Sequence, residues 1–147
     1  MKKIKELYAN RLKDMPHFTT DINVRWEEMD VNGHINYAAY LDYYSEARIE
    51  AVGQELFLSL REEGIGPAIY KAEIDFINEL FHPDRVHIVT YVDESIGKTR
   101  VSVIQEMYSH KKEALISKAR FFAIFMNSKN RKPVRMPQAI REKFGLK

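Results

Sequence analysis

The chain has no cysteine, and this absence excludes disulfides, thiolate metal sites and cysteine nucleophiles together. It also lacks long apolar runs: no stretch approaches the roughly 20 residues that span a bilayer. The opening MKKIKELYANRLKD has no apolar core of the signal-peptide kind. A net charge of +2 is too small to indicate nucleic-acid binding. We therefore expect a cytoplasmic protein with no membrane and no nucleic acid as partner.

The 147 residues are enough to bury a sizeable core, and no repeat or linker divides them. We predict one domain over residues 1–147. Eight Tyr and eight Phe exceed the needs of a minimal core, which leaves aromatic surface for an apolar ligand or a subunit interface. Both ends of the chain are basic, so they could hold an anionic ligand or simply solubilise exposed termini.

Helical periodicity appears in four places. Residues 1–16 predict an N-terminal helical extension that Pro16 ends, and residues 138–147 predict a C-terminal helix. Between them, YAAYLDYYSEARIEAV has neither Gly nor Pro and predicts about 16 residues of helix, with Asn36 as N-cap. Gly53 ends or kinks this helix before a second helical run. The side predicted to be apolar comprises Tyr37, Tyr40, Leu41, Tyr44, Ala47 and Val52.

Alternating apolar and polar residues predict five strands, which begin near residues 18, 70, 86, 101 and 114. The order is strand, long helix, then four strands in succession. The simplest two-layer solution is an α+β fold in which a five-stranded antiparallel sheet wraps around the long helix. The short terminal helices lie outside this unit.

The stretch DVNGHINYAAY, residues 30–40, is the candidate site. As an EF-hand loop it fails, because Ala39 occupies the position of the bidentate Glu and a strand precedes it. Asp30 and His34 could ligate another metal, but no second His lies nearby in the sequence. G-x-S-x-G and Gly-rich phosphate loops are absent too. We predict no metal and no cofactor.

Two interpretations of this stretch are left. In the first it is only a turn, in which Gly33 supplies positive φ and Asn36 caps the helix. In the second it is a site for attack on a carbonyl. The turn brings Asp30 and His34 from a buried strand to a helix N-terminus, where free N–H groups and the helix dipole stabilise developing negative charge. We favour the second.

The run VRWEEMDVNGHINYAAYLDYYSEAR, residues 24–48, resembles the signature of hotdog-fold acyl-CoA thioesterases of the 4-hydroxybenzoyl-CoA thioesterase-like family. Its D-x-N-x-H-x-N pattern also resembles plant acyl-ACP thioesterases. The resemblance implies a hotdog fold, hydrolysis of an acyl-CoA or acyl-ACP substrate, and a homodimer or homotetramer. It also implies active sites that lie between subunits.

The resemblance assigns catalytic roles by position. Asp30 matches the family's carboxylate, which acts as general base or as nucleophile. Asn32 and His34 match polar residues that orient water or carboxylate, and the backbone N–H of Tyr37 matches the group that polarises the thioester carbonyl.

Three more residues complete the predicted site. Gly33, Asn36 and Tyr40 are expected at the substrate-binding surface, where Gly33 makes the bend and Asn36 holds the turn. Glu46 on the long helix is the reserve candidate for the acid, because hotdog enzymes differ in which element supplies it.

Two other functions stay open. A hydratase or dehydratase acting on acyl thioesters would keep the fold, although its signature expects a Pro and a second Asp that this stretch lacks. A non-catalytic acyl-CoA-binding protein needs only the groove and the basic patches.

Overall fold

The computed structural model describes residues 2–146. Five strands form one antiparallel sheet, and they are β1 (Phe18–Asn23), β2 (Ile65–Phe76), β3 (Arg85–Ile96), β4 (Arg100–Ser109) and β5 (Ala114–Asn127). Their order in the sheet is β1-β3-β4-β5-β2, so that β1 and β2 are its edges. The helices are α1 (Lys2–Glu6), α2 (Tyr37–Val52), α3 (Gln54–Glu62) and α4 (Gln138–Lys143). The predicted α+β architecture is confirmed.

The long helix α2 begins and ends where the sequence indicates. The Asn36 side chain accepts a hydrogen bond from the backbone N–H of Ala39, and Gly53, at φ 97°, ends the helix. Its buried residues are Ala39, Tyr40, Tyr43, Tyr44, Ala47 and Ala51. The predicted apolar side was partly wrong: Tyr37 is 72% exposed and Leu41 is 44% exposed. Tyr37 lies in the first turn, where the centre of its ring is 6.0 Å from that of Phe76 at the end of β2.

In addition to apolar packing, polar contacts hold α2 against the sheet. The Tyr44 hydroxyl donates to Ser117 Oγ on β5 at 2.7 Å. The guanidinium of Arg48 lies 4.1 Å from the centre of the Phe121 ring and donates to Gln105 Oε1 at 2.9 Å. Burial lowers the pKa of Arg48 to about 10. These contacts fix the helix, and with it the helix N-terminus, over the inner face of the sheet.

Strand β2 starts five residues earlier than the alternation indicates. Gly66 and Pro67 made the start of β2 hard to predict from the sequence, because both residues are depleted in strands. Pro67 is tolerated since β2 is an edge strand, and its free side has no ladder to complete. Ile69, Tyr70 and Phe76 leave apolar surface exposed along this edge.

The N-terminal segment covers the outer face of the sheet, opposite α2. The predicted helix over residues 1–16 is too long: α1 ends at Glu6, and residues 7–14 form turns. Ile4, Tyr8 and Leu12 are buried against the sheet, whereas Leu7 is exposed. Their partners on the sheet are Val89, Tyr91, Ile104 and Tyr108.

A buried carboxylate anchors this segment. Glu106 on β4 is 1% exposed and accepts two hydrogen bonds from the Arg11 guanidinium, at 2.7 and 2.8 Å. The hydroxyls of Tyr91 and Tyr108 donate to the same carboxylate, each at 2.7 Å. Burial alone would raise the pKa of Glu106, but these hydrogen bonds outweigh it and hold that pKa below its ordinary value.

The C-terminal helix is also shorter than predicted. α4 ends at Lys143, Gly145 turns the chain at φ 72°, and Lys147 lies outside the described residues. Ile140 and Phe144 belong to a second cluster of buried apolar residues. Within residues 2–146, no helix is both long enough and apolar enough to cross a membrane.

Candidate active site

The candidate site begins with a tight loop between β1 and α2. Met29 and Ile35 pair as an isolated antiparallel bridge, and the Asp30 N–H donates to the carbonyl of His34 at 2.8 Å. The loop closes through Gly33, whose N–H donates to the Asp30 carbonyl at 3.0 Å and whose φ is 83°. The loop therefore needs glycine for its backbone conformation, as the sequence predicts.

The two oxygens of Asp30 have different environments. Oδ1 accepts the Asn32 backbone N–H at 2.9 Å, which fixes the carboxylate in an Asx turn. Oδ2 lies 3.8 Å from His34 Nδ1, within ion-pair range but beyond a direct hydrogen bond. Both side chains are partly exposed. Oδ2 is thus held in place with room for a water or a substrate atom beside it.

Asn36 joins this loop to the helix. Its side-chain amide donates to the Glu28 carbonyl at 2.6 Å, while its Oδ1 caps α2. The neighbouring Ile35 N–H donates to the carbonyl of Leu80 at 2.7 Å, which ties the loop to the segment after β2. The position of Asp30 relative to the helix N-terminus is therefore set by hydrogen bonds on both sides.

The N-terminus of α2 directly follows this loop. Tyr37 is the first residue of α2, so its backbone N–H has no carbonyl one helical turn earlier with which to pair. Such N–H groups, together with the helix dipole, stabilise an oxyanion. Asp30 in the loop and Tyr37 at the start of the helix both line one cavity.

That cavity has a volume of about 450 Å³. Its lining residues are Asp30, His34, Ile35, Tyr37, Tyr40, Phe76, Ile77, Asn78 and Glu79. Burial, with the nearby charge of Glu79 adding to it, raises the pKa of Tyr40 to about 12. The Tyr40 phenol therefore stays neutral and can serve as a hydrogen-bond donor at the cavity wall.

Four of the seven predicted residues line the cavity: Asp30, His34, Tyr37 and Tyr40. The other three, Asn32, Gly33 and Asn36, build the loop beside it. Sequence reasoning missed residues 76–79, which are distant in the chain and carry no motif. The only indirect signal is the end of the β2 alternation at Phe76.

Glu28, the acid nearest to Asp30 in the sequence, and the reserve candidate Glu46 both lie outside this cavity. The Glu28 carboxylate is held by the Tyr43 hydroxyl at 2.5 Å and by Arg25 at 3.1 Å. Glu46 is exposed on α2 and borders a shallow depression along the β1 edge, with Asn23 and Arg25. Neither glutamate lines the cavity of Asp30.

The family model of the Thioesterase-like superfamily matches residues 24–144, which include the whole loop and α2. This match confirms the resemblance based on residues 24–48. No curated protein matches the chain.

Solved structures share the fold at low sequence identity. A DHNA-CoA thioesterase from Staphylococcus aureus is 21% identical with a TM-score of 0.73, and 88% of this chain and 84% of that chain are covered. A 1,4-dihydroxy-2-naphthoyl-CoA thioesterase from Synechocystis is 18% identical with a TM-score of 0.79, covering 88% and 96%. A Staphylococcus aureus protein solved in complex with CoA is 15% identical with a TM-score of 0.80, covering 89% and 83%. The predicted hotdog fold is confirmed.

Proposed function

The chain belongs to the thioesterase-like superfamily and is a thioester hydrolase; from this premise we propose that it hydrolyses acyl-CoA with Asp30 as its catalytic carboxylate. The observation that supports the assignment is that Asp30 and Tyr37, the first residue of α2, line the same cavity. The proposed substrate class is supported by the acyl-CoA thioesterases and the CoA complex among the structures that share the fold.

The chemistry follows from these two groups. The thioester carbonyl oxygen accepts a hydrogen bond from the Tyr37 N–H, which stabilises the negative charge that develops on it. Asp30 takes a proton from a water that attacks the carbonyl carbon, and the C–S bond of the resulting tetrahedral intermediate then breaks. The thiolate leaves readily because it is weakly basic, so no strong acid is required.

Asp30 can also act as the nucleophile. Its Oδ2 would then attack the carbonyl carbon and expel the thiolate, and water would hydrolyse the mixed anhydride. Single-turnover hydrolysis in heavy-oxygen water detects the nucleophilic role when water attacks the anhydride at the Asp30 carboxyl carbon. A general base leaves label only in the acid product, whereas hydrolysis at the Asp30 side of an anhydride leaves label in Asp30.

The first test is a thiol-release panel with short, medium, long and aromatic acyl-CoAs, repeated with acyl carrier protein thioesters. Thiol release from one class identifies the substrate. Conversion of an enoyl-CoA without thiol release would instead indicate a hydratase. Acyl-CoA binding with no thiol release from any member of the panel would contradict the proposal and indicate a binding protein.

His34 is proposed to orient the water or the Asp30 carboxylate. We expect His34→Ala to lower kcat by about 10–100-fold, because a positioning group contributes less than the catalytic carboxylate itself. The measurement is steady-state thiol release. The control is His82→Ala, since His82 does not line the cavity. Equal activity of the two variants would remove His34 from the mechanism.

We further propose that two chains pair through their β2 edges, which would extend the sheet across a two-fold axis. The support is a 12-residue edge strand with exposed apolar side chains, a surface that monomers rarely leave uncovered. A cytoplasmic homodimer is the expected form, and a homotetramer would add a second interface.

The pairing is testable with charge on the edge. Ile69→Glu combined with Tyr70→Glu is expected to convert the dimer to a monomer, because a symmetric interface brings each new charge near its copies. Light scattering after size-exclusion chromatography measures the mass. Leu58→Glu, at an exposed apolar position on α3, is the control. A double variant that keeps the wild-type dimer mass would exclude the β2 interface.

A further inference from the structure

Three potential metal ligands meet on the outer face of the sheet, although they lie far apart in the sequence. Asp21 comes from β1, His87 from β3, and His110 from the turn after β4. One ligand atom from each lies within 4.8 Å of the other two. The sequence predicted no metal, because its histidines lie far apart in the chain. His87 and His110 come together only through the pairing of β1, β3 and β4.

The three side chains converge on one point. His110 Nε2 lies 2.7 Å and His87 Nδ1 lies 3.1 Å from the same oxygen of Asp21, Oδ1. Ligands at about 2.0–2.2 Å from a tetrahedral ion stand roughly 3.3–3.6 Å apart. Shifts of less than about 1 Å would therefore open this cluster to the spacing that zinc requires.

The surroundings of His87 suit a ligand. Its side chain is 2% exposed, and its other nitrogen, Nε2, lies 2.8 Å from the Tyr8 hydroxyl. When Nε2 carries the proton and donates to Tyr8, the Nδ1 lone pair points at Asp21, where an ion would sit. Metal-bound histidines are usually oriented by such a hydrogen bond from the second ring nitrogen.

Without an ion the same cluster is satisfied by protons, since Nδ1–H of His87 and Nε2–H of His110 can both donate to Asp21. A cation would replace both of these protons, so that neutral His87 would carry its remaining proton on Nε2 and neutral His110 on Nδ1. Asp21 and His110 are partly exposed, so an ion can enter and a water can take a fourth position. The charges of Lys5 and Arg85 reach His87 and Asp21 respectively and weaken cation binding.

We propose that Asp21, His87 and His110 bind a divalent transition metal, with Zn²⁺ the best match. Two imidazole nitrogens and one carboxylate are ligands typical of zinc and unlike the all-oxygen sites of Ca²⁺ and Mg²⁺. The alternation along β3 places His87 on the outer face with Val89, whereas Ile88 packs beneath α2. This site is therefore separate from the Asp30 cavity, and through Tyr8 it ties the N-terminal segment to the sheet.

The test is calorimetric titration of the full chain with Zn²⁺ after treatment with a chelator. We expect one ion per chain, bound at least 10-fold more weakly by His110→Gln and by Asp21→Asn. Tyr8→Phe should weaken binding by about 10–100-fold, because it removes the hydrogen-bond partner of His87. His82→Gln, outside the cluster, should bind like the wild type.

Two further readouts do not depend on calorimetry. Co²⁺ should give the visible absorption of a tetrahedral site in the wild type and lose it in His110→Gln. Zn²⁺ should raise the unfolding temperature of the wild type and leave that of His110→Gln unchanged. The proposal is overturned if the wild type binds no zinc, or if His110→Gln and Asp21→Asn bind it as tightly as the wild type does.

Discussion

Asp30→Asn is expected to lower thioester hydrolysis by about 10²–10⁴-fold, the range that acid–base groups contribute. The amide cannot accept the water proton and is a poor nucleophile. The fold should survive, because the amide oxygen can still accept the Asn32 N–H and the side chain is only partly buried. The variant therefore removes the charge and keeps the loop.

The measurement is kcat for thiol release with the best substrate of the panel, alongside the unfolding temperature. Glu46→Gln is the matched control: it also replaces a carboxylate by an amide, at the exposed reserve position on α2. Near-normal turnover of Asp30→Asn would exclude the catalytic assignment. A large loss in Glu46→Gln instead would transfer the role to the helix.

Glu106→Gln is expected to reduce the free energy of unfolding by about 3 kcal/mol, because it breaks a buried ion pair and leaves donors unmatched. Arg11, Tyr91 and Tyr108 all donate to this carboxylate, so the amide NH₂ would face further donors. Arg11 is half exposed and regains water, which keeps the loss below that of a fully buried pair. Chemical denaturation measures the change.

Glu73→Gln is the control, because Glu73 pairs with Lys71 on the exposed β2 edge at 3.1 Å. Exposed pairs contribute roughly 0–1 kcal/mol. Comparable losses in the two variants would show that the buried cluster adds nothing to stability.

The dependence of the free energy of unfolding on acidic pH should change as well. The folded-state pKa of Glu106 lies below its ordinary value of 4.5, so the unfolded chain binds the proton more tightly. The contribution of Glu106 is therefore complete above the unfolded pKa and is lost as the pH falls through the folded pKa. We expect Glu106→Gln to flatten this loss, measured as the free energy of unfolding against pH.

Short-range features of the sequence were sufficient for much of the architecture. Alternation identified five strands, the Gly-free run identified α2, and Asn36, Gly33 and Gly53 marked its cap, its preceding turn and its end. Each of these features depends on residues only a few positions apart, so a local sequence pattern predicts it directly. The motif at Asp30 was visible for the same reason. The assignment of residues 1–147 to one domain stays a prediction.

Other features depended on contacts between distant segments. Edge position, which allows Pro67 inside a strand, determined the start of β2, and packing on the outer face limited α1 to Lys2–Glu6. Residues 76–79 joined the cavity because the loop before α2 hydrogen-bonds to Leu80. The Glu106 cluster and the Asp21–His87–His110 site likewise required strand register. The sequence by itself determined most of the elements and the loop of Asp30, because those depend on neighbouring residues. The tertiary structure decided what surrounds them, because strand pairing joins side chains that no local pattern connects.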